Sequence, residues 1–167
     1  MKRWILIAWA LTLALAAAGI AGKERLLARG ETVYLKLAPV DPRSLMQGDY
    51  MALNFDIGNM IRAAQTRKQD DRPSRDGVAV IRRDEQGVAS FVRVHGGEPL
   101  AAGEQVLRYQ VARSRWGGMQ VQVSTDAYFF QEGQGERFAQ AQYGEFRVGA
   151  DGQALLVGLR GKGMEKL

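Results

Sequence analysis

Hydrophobic residues along this chain change rhythm twice. From Trp4 to Gly22 they form an almost unbroken run, with Lys2 and Arg3 before it and Lys23-Glu24-Arg25 after it. These nineteen residues, rising ~1.5 Å each as a helix, nearly cross a ~30 Å hydrocarbon core. Trp4 and Trp9 sit where an interfacial anchor belongs. Ala16-Ala17-Ala18 offers small residues for signal cleavage, but the run continues past them through Ile20 and Ala21. The expectation is an uncleaved signal-anchor helix over 1–22, a helical stalk over 23–30 ended by Gly30, and one domain over 31–167. A very short tail before a long downstream domain places that domain on the extracytoplasmic, periplasmic side of a cytoplasmic (inner) membrane crossed once.

Beyond Gly30 the period falls to two. Thr32 to Leu37 reads as a strand with Val33, Leu35 and Leu37 inward. Asp41-Pro42-Arg43-Ser44 reads as a turn, because proline fixes φ and the aspartate accepts amide bonds after it. Gly48 then serves as a hinge. From Tyr50 a second strand is expected to run to Ile57, with Met51, Leu53, Phe55 and Ile57 on an apolar face and Tyr50, Ala52, Asn54 and Asp56 opposite. Strand, turn and strand read as a hairpin. Gly58 to Thr66 reads as a short helix with Asn59 as its cap and Met60, Ile61 and Ala64 turned to the body. A charged segment without large apolar residues, 65–76, reads as a solvated loop.

From Val78 the alternation resumes as a meander. Val78 to Arg82 and Val88 to Val94 flank Asp84-Glu85-Gln86-Gly87, a hairpin turn. Gln105 to Arg113 and Met119 to Ser124 flank Arg115-Trp116-Gly117-Gly118, and strand is expected again from Ala127 to Gln131. A helical turn or two should fall within 136–143. Glu145 to Val148 and Gln153 to Leu159 should pair across Gly149-Ala150-Asp151-Gly152. The fold class is mainly β: a transmembrane helix, then one antiparallel domain, sandwich-like or an open barrel, with a short helix.

Composition narrows the chemistry. The net charge is +5 over 167 residues, spread along the chain and not clustered as nucleic-acid binding requires. A weak attraction to anionic lipid heads fits it better. With no cysteine, disulfides, thiol catalysis and a lipoprotein anchor are excluded. His95 is the one histidine, so a multi-histidine metal site is excluded too.

The segment Gly48-Asp49-Tyr50-Met51-Ala52-Leu53-Asn54-Phe55 resembles the motif that gives the GDYXXLXY family of membrane-anchored bacterial proteins its name. Phe55 stands where the motif has its last tyrosine, keeping the ring and losing the hydroxyl. Pro39-Val40-Asp41-Pro42-Arg43 is similar to the lead-in of that family, and Tyr128-Phe129-Phe130-Gln131-Glu132-Gly133 is a weaker match. The resemblance implies membrane topology and little chemistry.

Candidate site residues are accordingly Asp41, Arg43, Gly48, Asp49, Tyr50, Leu53, Phe55, Glu132 and Gly133. Arg43 and Asp49 are expected to brace the turn through paired charge-assisted bonds. Asp41, Asp49, Asp56, Glu132 and Glu136 match no cation loop, and Asp49 and Asp56 fall on opposite strand faces, so no metal or other cofactor is called for. A serine–lysine hydrolase would have to use Ser44 and Lys36, without an apolar pocket to activate the lysine, and His95 reads as a loop residue. Glu132 is expected to accept amide bonds in its own turn. The reading is a non-enzymatic module binding the membrane through its helix and a membrane or envelope protein through its domain. The alternative is an envelope hydrolase or carbohydrate-binding domain using Glu132 and Asp49.

Overall fold

The computed structural model describes residues 2–38, 46–47, 50–67, 76–113 and 119–167. Helix α1, Lys2–Arg29, carries the apolar run and the following Lys23-Glu24-Arg25 without a break. It is long and apolar enough to cross a membrane, and its apolar window has a mean hydropathy of 2.2 with none of it buried. The amide of Gly30 closes the helix on the Leu26 carbonyl at 2.8 Å.

Three antiparallel sheets follow, curved into a half-barrel. The first joins β1 (Glu31–Lys36), β9 (Tyr143–Val148) and β10 (Ala154–Arg160) in that order. The second places β3 (Tyr50–Ala52) between β2 (Met46–Gln47) and β8 (Ala127–Phe129). The third runs β5 (Ala89–Val94), β4 (Asp76–Arg83), β6 (Glu104–Arg113), β7 (Met119–Gln122). Helix α2, Asp56–Arg67, lies across the third sheet against β5, β7 and β1. A single turn, α3, spans Gly135–Phe138.

Backbone bonds stitch the sheets together. Tyr34 N–H donates to Gly87 O at 2.9 Å, tying β1 to the start of β5, and Arg108 N–H donates to Gly152 O at 2.8 Å, tying β6 to the β9–β10 turn. The second sheet is held by Ala38 N–H to Asn54 O at 2.9 Å and Leu53 N–H to Asp126 O at 2.7 Å. Val33, Leu35, Ile61, Ile81, Leu107, Phe146 and Leu159, all fully buried, fill the interior. Each such side chain contributes ~1.5–3 kcal/mol on leaving water. Tyr109 is buried over Gly77, where a Cβ would strike its ring, and Gln65 Nε2 donates to its hydroxyl at 2.8 Å. Burial raises the Tyr109 phenol above its ordinary range, and the Gln65 bond opposes the shift.

Several elements differ from the sequence reading. The second strand stops at Ala52, and a helix begins at Asp56, whose carboxylate suits the positive helix start. Asn59 is therefore inside α2 and not its cap, and Met60 is half exposed while Ile61 is buried. The hairpin of the first two strands is not formed. β1 pairs with β9 instead, Glu31 to Lys36 against Val148 to Tyr143, and among the described residues the chain just after it meets the second segment at the bridge between Leu37 and Phe55 and at the Ala38–Asn54 bond. Nor is the third sheet a pure meander: β6 pairs with β4 and not with β5, because the β5 end of that sheet is where β1 docks. β8 ends at Phe129, two residues early. The turn expected at 115–118 and the loop over 68–75 lie outside the described residues.

Candidate functional site

The segment from Tyr50 to Ile57 keeps its two-residue alternation although only its first three residues are strand. Met51, Leu53, Phe55 and Ile57 are buried, while Ala52 is exposed and Tyr50, Asn54 and Asp56 are half-buried. Alternation survives because Ile57 opens a helix whose next inward residue, Ile61, is four positions on. The motif thus has an inner row that packs and an outer row that is presented.

Antiparallel partners share a sheet face, so the register of β3 on β8 decides what joins the outer row. Tyr50 lies opposite Phe129, Met51 opposite Tyr128 and Ala52 opposite Ala127. Tyr50 and Phe129 form an outward aromatic pair, ring centroids 5.8 Å apart and tilted 40°. Phe129 is 75% exposed, more than any other large hydrophobic side chain among the described residues outside α1. On the inner side Phe138, from α3, packs at 5.2 Å from Tyr128 and at 5.1 Å, nearly parallel, from Phe130. This ring cluster holds the strand from beneath and fixes the outer pair.

The chain leaves β8 through a turn at Gln131–Gln134, closed by Gln134 N–H to Gln131 O at 3.1 Å. Gly133, at φ +83°, takes the left-handed position that the turn needs. Glu132 is exposed and makes no hydrogen bond or ion pair among the described residues; the turn is closed by the backbone and by the Gln134 amide on Gln131, not by the Glu132 carboxylate. The expected amide bonds to Glu132 are thus absent. Phe55 packs edge-on against Phe146, 5.2 Å between centroids at 72°, and with Leu53 supports the face from the core.

Of the sequence candidates, Tyr50 pairs with Phe129 at the end of β8, and Glu132 and Gly133 lie in the turn that follows that strand. Asp41, Arg43, Gly48 and Asp49 lie outside the described residues, as does any brace between Arg43 and Asp49, and Ser44 with them. Lys36 is exposed at the end of β1. His95 follows β5, its amide bonded to Val78 O at 2.8 Å, and its Nδ1 is buried without a partner. It lines a recess of about 470 Å³ with Asp76, Arg108, Tyr109 and Asp151, of which Glu132 is no part. Among the described residues no three acids or histidines are grouped to hold a metal. Phe129 is the surface residue that sequence reasoning undervalued. Its parity, opposite to Tyr128 and Phe130, was the available signal.

A model of the GDYXXLXY protein family matches residues 12–159, which takes in α1 from Thr12 onward and nearly all of the β domain. The chain belongs to the GDYXXLXY family. No curated protein and no solved structure matches it. In GDYXXLXY terms, Leu53 and the final ring position, here Phe55, are core residues. Of the described motif positions, Tyr50 is the named one that faces out, and it does so against Phe129.

Proposed function

We propose that this GDYXXLXY protein is a non-enzymatic, membrane-anchored module that binds another membrane or envelope protein through the outer face of β3 and β8. The observation that carries this reading is the exposed ring of Phe129 paired with the half-buried Tyr50, since exposed aromatics backed by a rigid core are what protein partners anchor on. Residues 1–22 are the uncleaved anchor, 23–30 the stalk and 31–167 the extracytoplasmic domain. The path of β1 fits the geometry. Its six residues at ~3.3 Å each span ~20 Å between the end of α1 and the bridge from Leu37 to Phe55. In this reading the motif face stands clear of the lipid surface, within reach of a second protein. Glu132, exposed on a turn, supports this better than a hydrolytic role, for which convergent acids in a cleft are needed.

A photo-crosslinking residue in place of Phe129, in native membranes, should give one discrete adduct. The same probe at Leu100, exposed in the β5–β6 connection, should give none. Adding Tyr50→Ala should abolish the adduct, and Tyr50→Phe, which keeps the ring beside Phe129, should retain it. Adducts of equal pattern from positions 129 and 100 would refute a specific face.

A further inference from the structure

We propose that the cleft between α1 and the β9–β10 turn seats one anionic phospholipid, its phosphate among Lys23, Arg25 and Arg29 and an acyl chain along Gly19 and Gly22. This inference rests on the reading of α1 as the membrane helix. The cleft has a volume of about 470 Å³, walled on one side by α1 from Ala18 to Gly30 and on the other by the turn over 149–153. It straddles the end of the apolar run. Below that level a Cβ at Gly19 or Gly22 would meet no atom within 4 Å, leaving room for a chain against the helix backbone. Above it, Lys23, Arg25 and Arg29 are exposed and make no hydrogen bond or ion pair among the described residues. Asp151 is the carboxylate on the opposite wall, and Arg108 already holds it at 3.5 Å. Glu24 is exposed and does not line the cleft.

An apolar slot continued by three uncompensated cations, at the height where hydrocarbon gives way to headgroups, matches a phospholipid in both its parts. Basic residues at this level attract anionic lipid whatever the shape of the protein. The turn over 149–153 adds a second wall, which a bare helix lacks. A Cβ on Gly149 would come within 3.2 Å of Leu26 Cδ1, so helix and turn are in close contact at the head of the slot.

The test uses the full chain in detergent, offered phosphatidylglycerol and phosphatidylcholine at equal concentration and weighed by native mass spectrometry. One phosphatidylglycerol should be retained in preference to phosphatidylcholine, and glycerol 3-phosphate alone should not be retained. Replacing Lys23, Arg25 and Arg29 together by Gln should weaken retention by about tenfold or more. Gly22→Leu should also weaken it, by filling the slot without altering charge or harming the helix. Equal retention of the two lipids, or full retention by Gly22→Leu, overturns the proposal, as does equal retention of glycerol 3-phosphate. Carbonate extraction of membranes separates the two readings. Release of the chain overturns both, whereas a chain that stays in the membrane yet shows no lipid preference overturns this proposal alone.

Discussion

A Cβ added to Gly144 would sit 2.8 Å from Phe55 Cε1, 2.8 Å from Phe146 Cε2 and 3.1 Å from Phe55 Cζ. The glycine is thus the floor on which the motif's last ring rests, and the position admits phenylalanine because the ring, not a hydroxyl, fills the space. Gly144→Ala should overpack this junction and lower stability by about 1–3 kcal/mol, read as a lower urea midpoint; an unchanged midpoint would mean that the rings have slack. Glu104 shows a different kind of dependence. Its side chain is 3% exposed, and its carboxylate accepts from Arg93 Nη1 at 2.9 Å, from Arg82 Nη2 at 3.3 Å and from the Ala101 amide at 3.0 Å. The Ala101 amide, then the Arg93 bond, hold its pKa below the ordinary carboxylate value. The charged form is favoured in the fold, so its contribution is complete above the unfolded pKa and is lost as pH falls through the lowered folded one. Glu104→Gln should therefore flatten the acid limb of a stability-against-pH curve without steepening the neutral region, and an unaltered acid limb would remove Glu104 from that role. Neither site was legible in the sequence. Gly144 meets Phe55 from β9, and Glu104 meets Arg82 only because β4 and β6 pair in that register.

Within α2, Gly58 lies close against the sheet: a Cβ there would come within 2.8 Å of the Val121 carbonyl of β7. In an exposed helix interior, Gly→Ala stabilises by ~1 kcal/mol. Here the obstacle is backbone, which cannot swing aside, so Gly58→Ala should destabilise and lower the thermal midpoint. A raised midpoint would show that the helix stands further from β7 than this geometry has it. The same helix explains what the hydrophobic pattern could and could not reveal. Met51, Leu53, Phe55 and Ile57 are inward as the alternation implies, yet the last of them already belongs to a helix, since Ile57 satisfies a period of two behind it and a step of four to Ile61 ahead. Local patterning found the β4–β5 and β9–β10 hairpins because their turns declare themselves. Asp84 Oδ1 accepts the Gln86 and Val88 amides, both at 2.9 Å, and Gly87 and Gly152 take positive φ. It could not find the pairing of β1 with β9, whose partners Thr32 and Arg147 are more than a hundred residues apart and carry no mutual signal. Phe129 illustrates the same limit at the candidate face. Its parity was readable, but its alignment with Tyr50 depends on a register set by the second sheet.

The long-range pairing of β1 with β9 also joins the two parts of the molecule. β1 begins two residues after α1 ends, and β9 brings Arg147 beside that junction, where Nη1 donates to Thr32 Oγ1 at 2.7 Å and to the Gly30 carbonyl at 3.3 Å. A cation beside the carbonyl end of a helix is also favourable to the helix dipole. Space is tight, since a Cβ on Gly30 would lie 3.1 Å from the Arg147 Cβ. The guanidinium therefore clasps to the first sheet, at a set angle, a helix long and apolar enough to cross a membrane. Arg147→Ala removes bonds to a charged donor, each worth about 1.5–3 kcal/mol when partly shielded, but the loss falls on the junction and not on the core of Leu35, Ile81 and Phe146. The expected outcome is local: in the detergent-solubilised full chain, trypsin should cut after Arg29 several-fold faster, while the midpoint of domain unfolding falls little. Arg147→Lys, which keeps the charge and loses the fork, should lie between the two. Cleavage at the wild-type rate in Arg147→Ala would mean that the covalent link and the β1–β9 ladder hold the angle without the clasp.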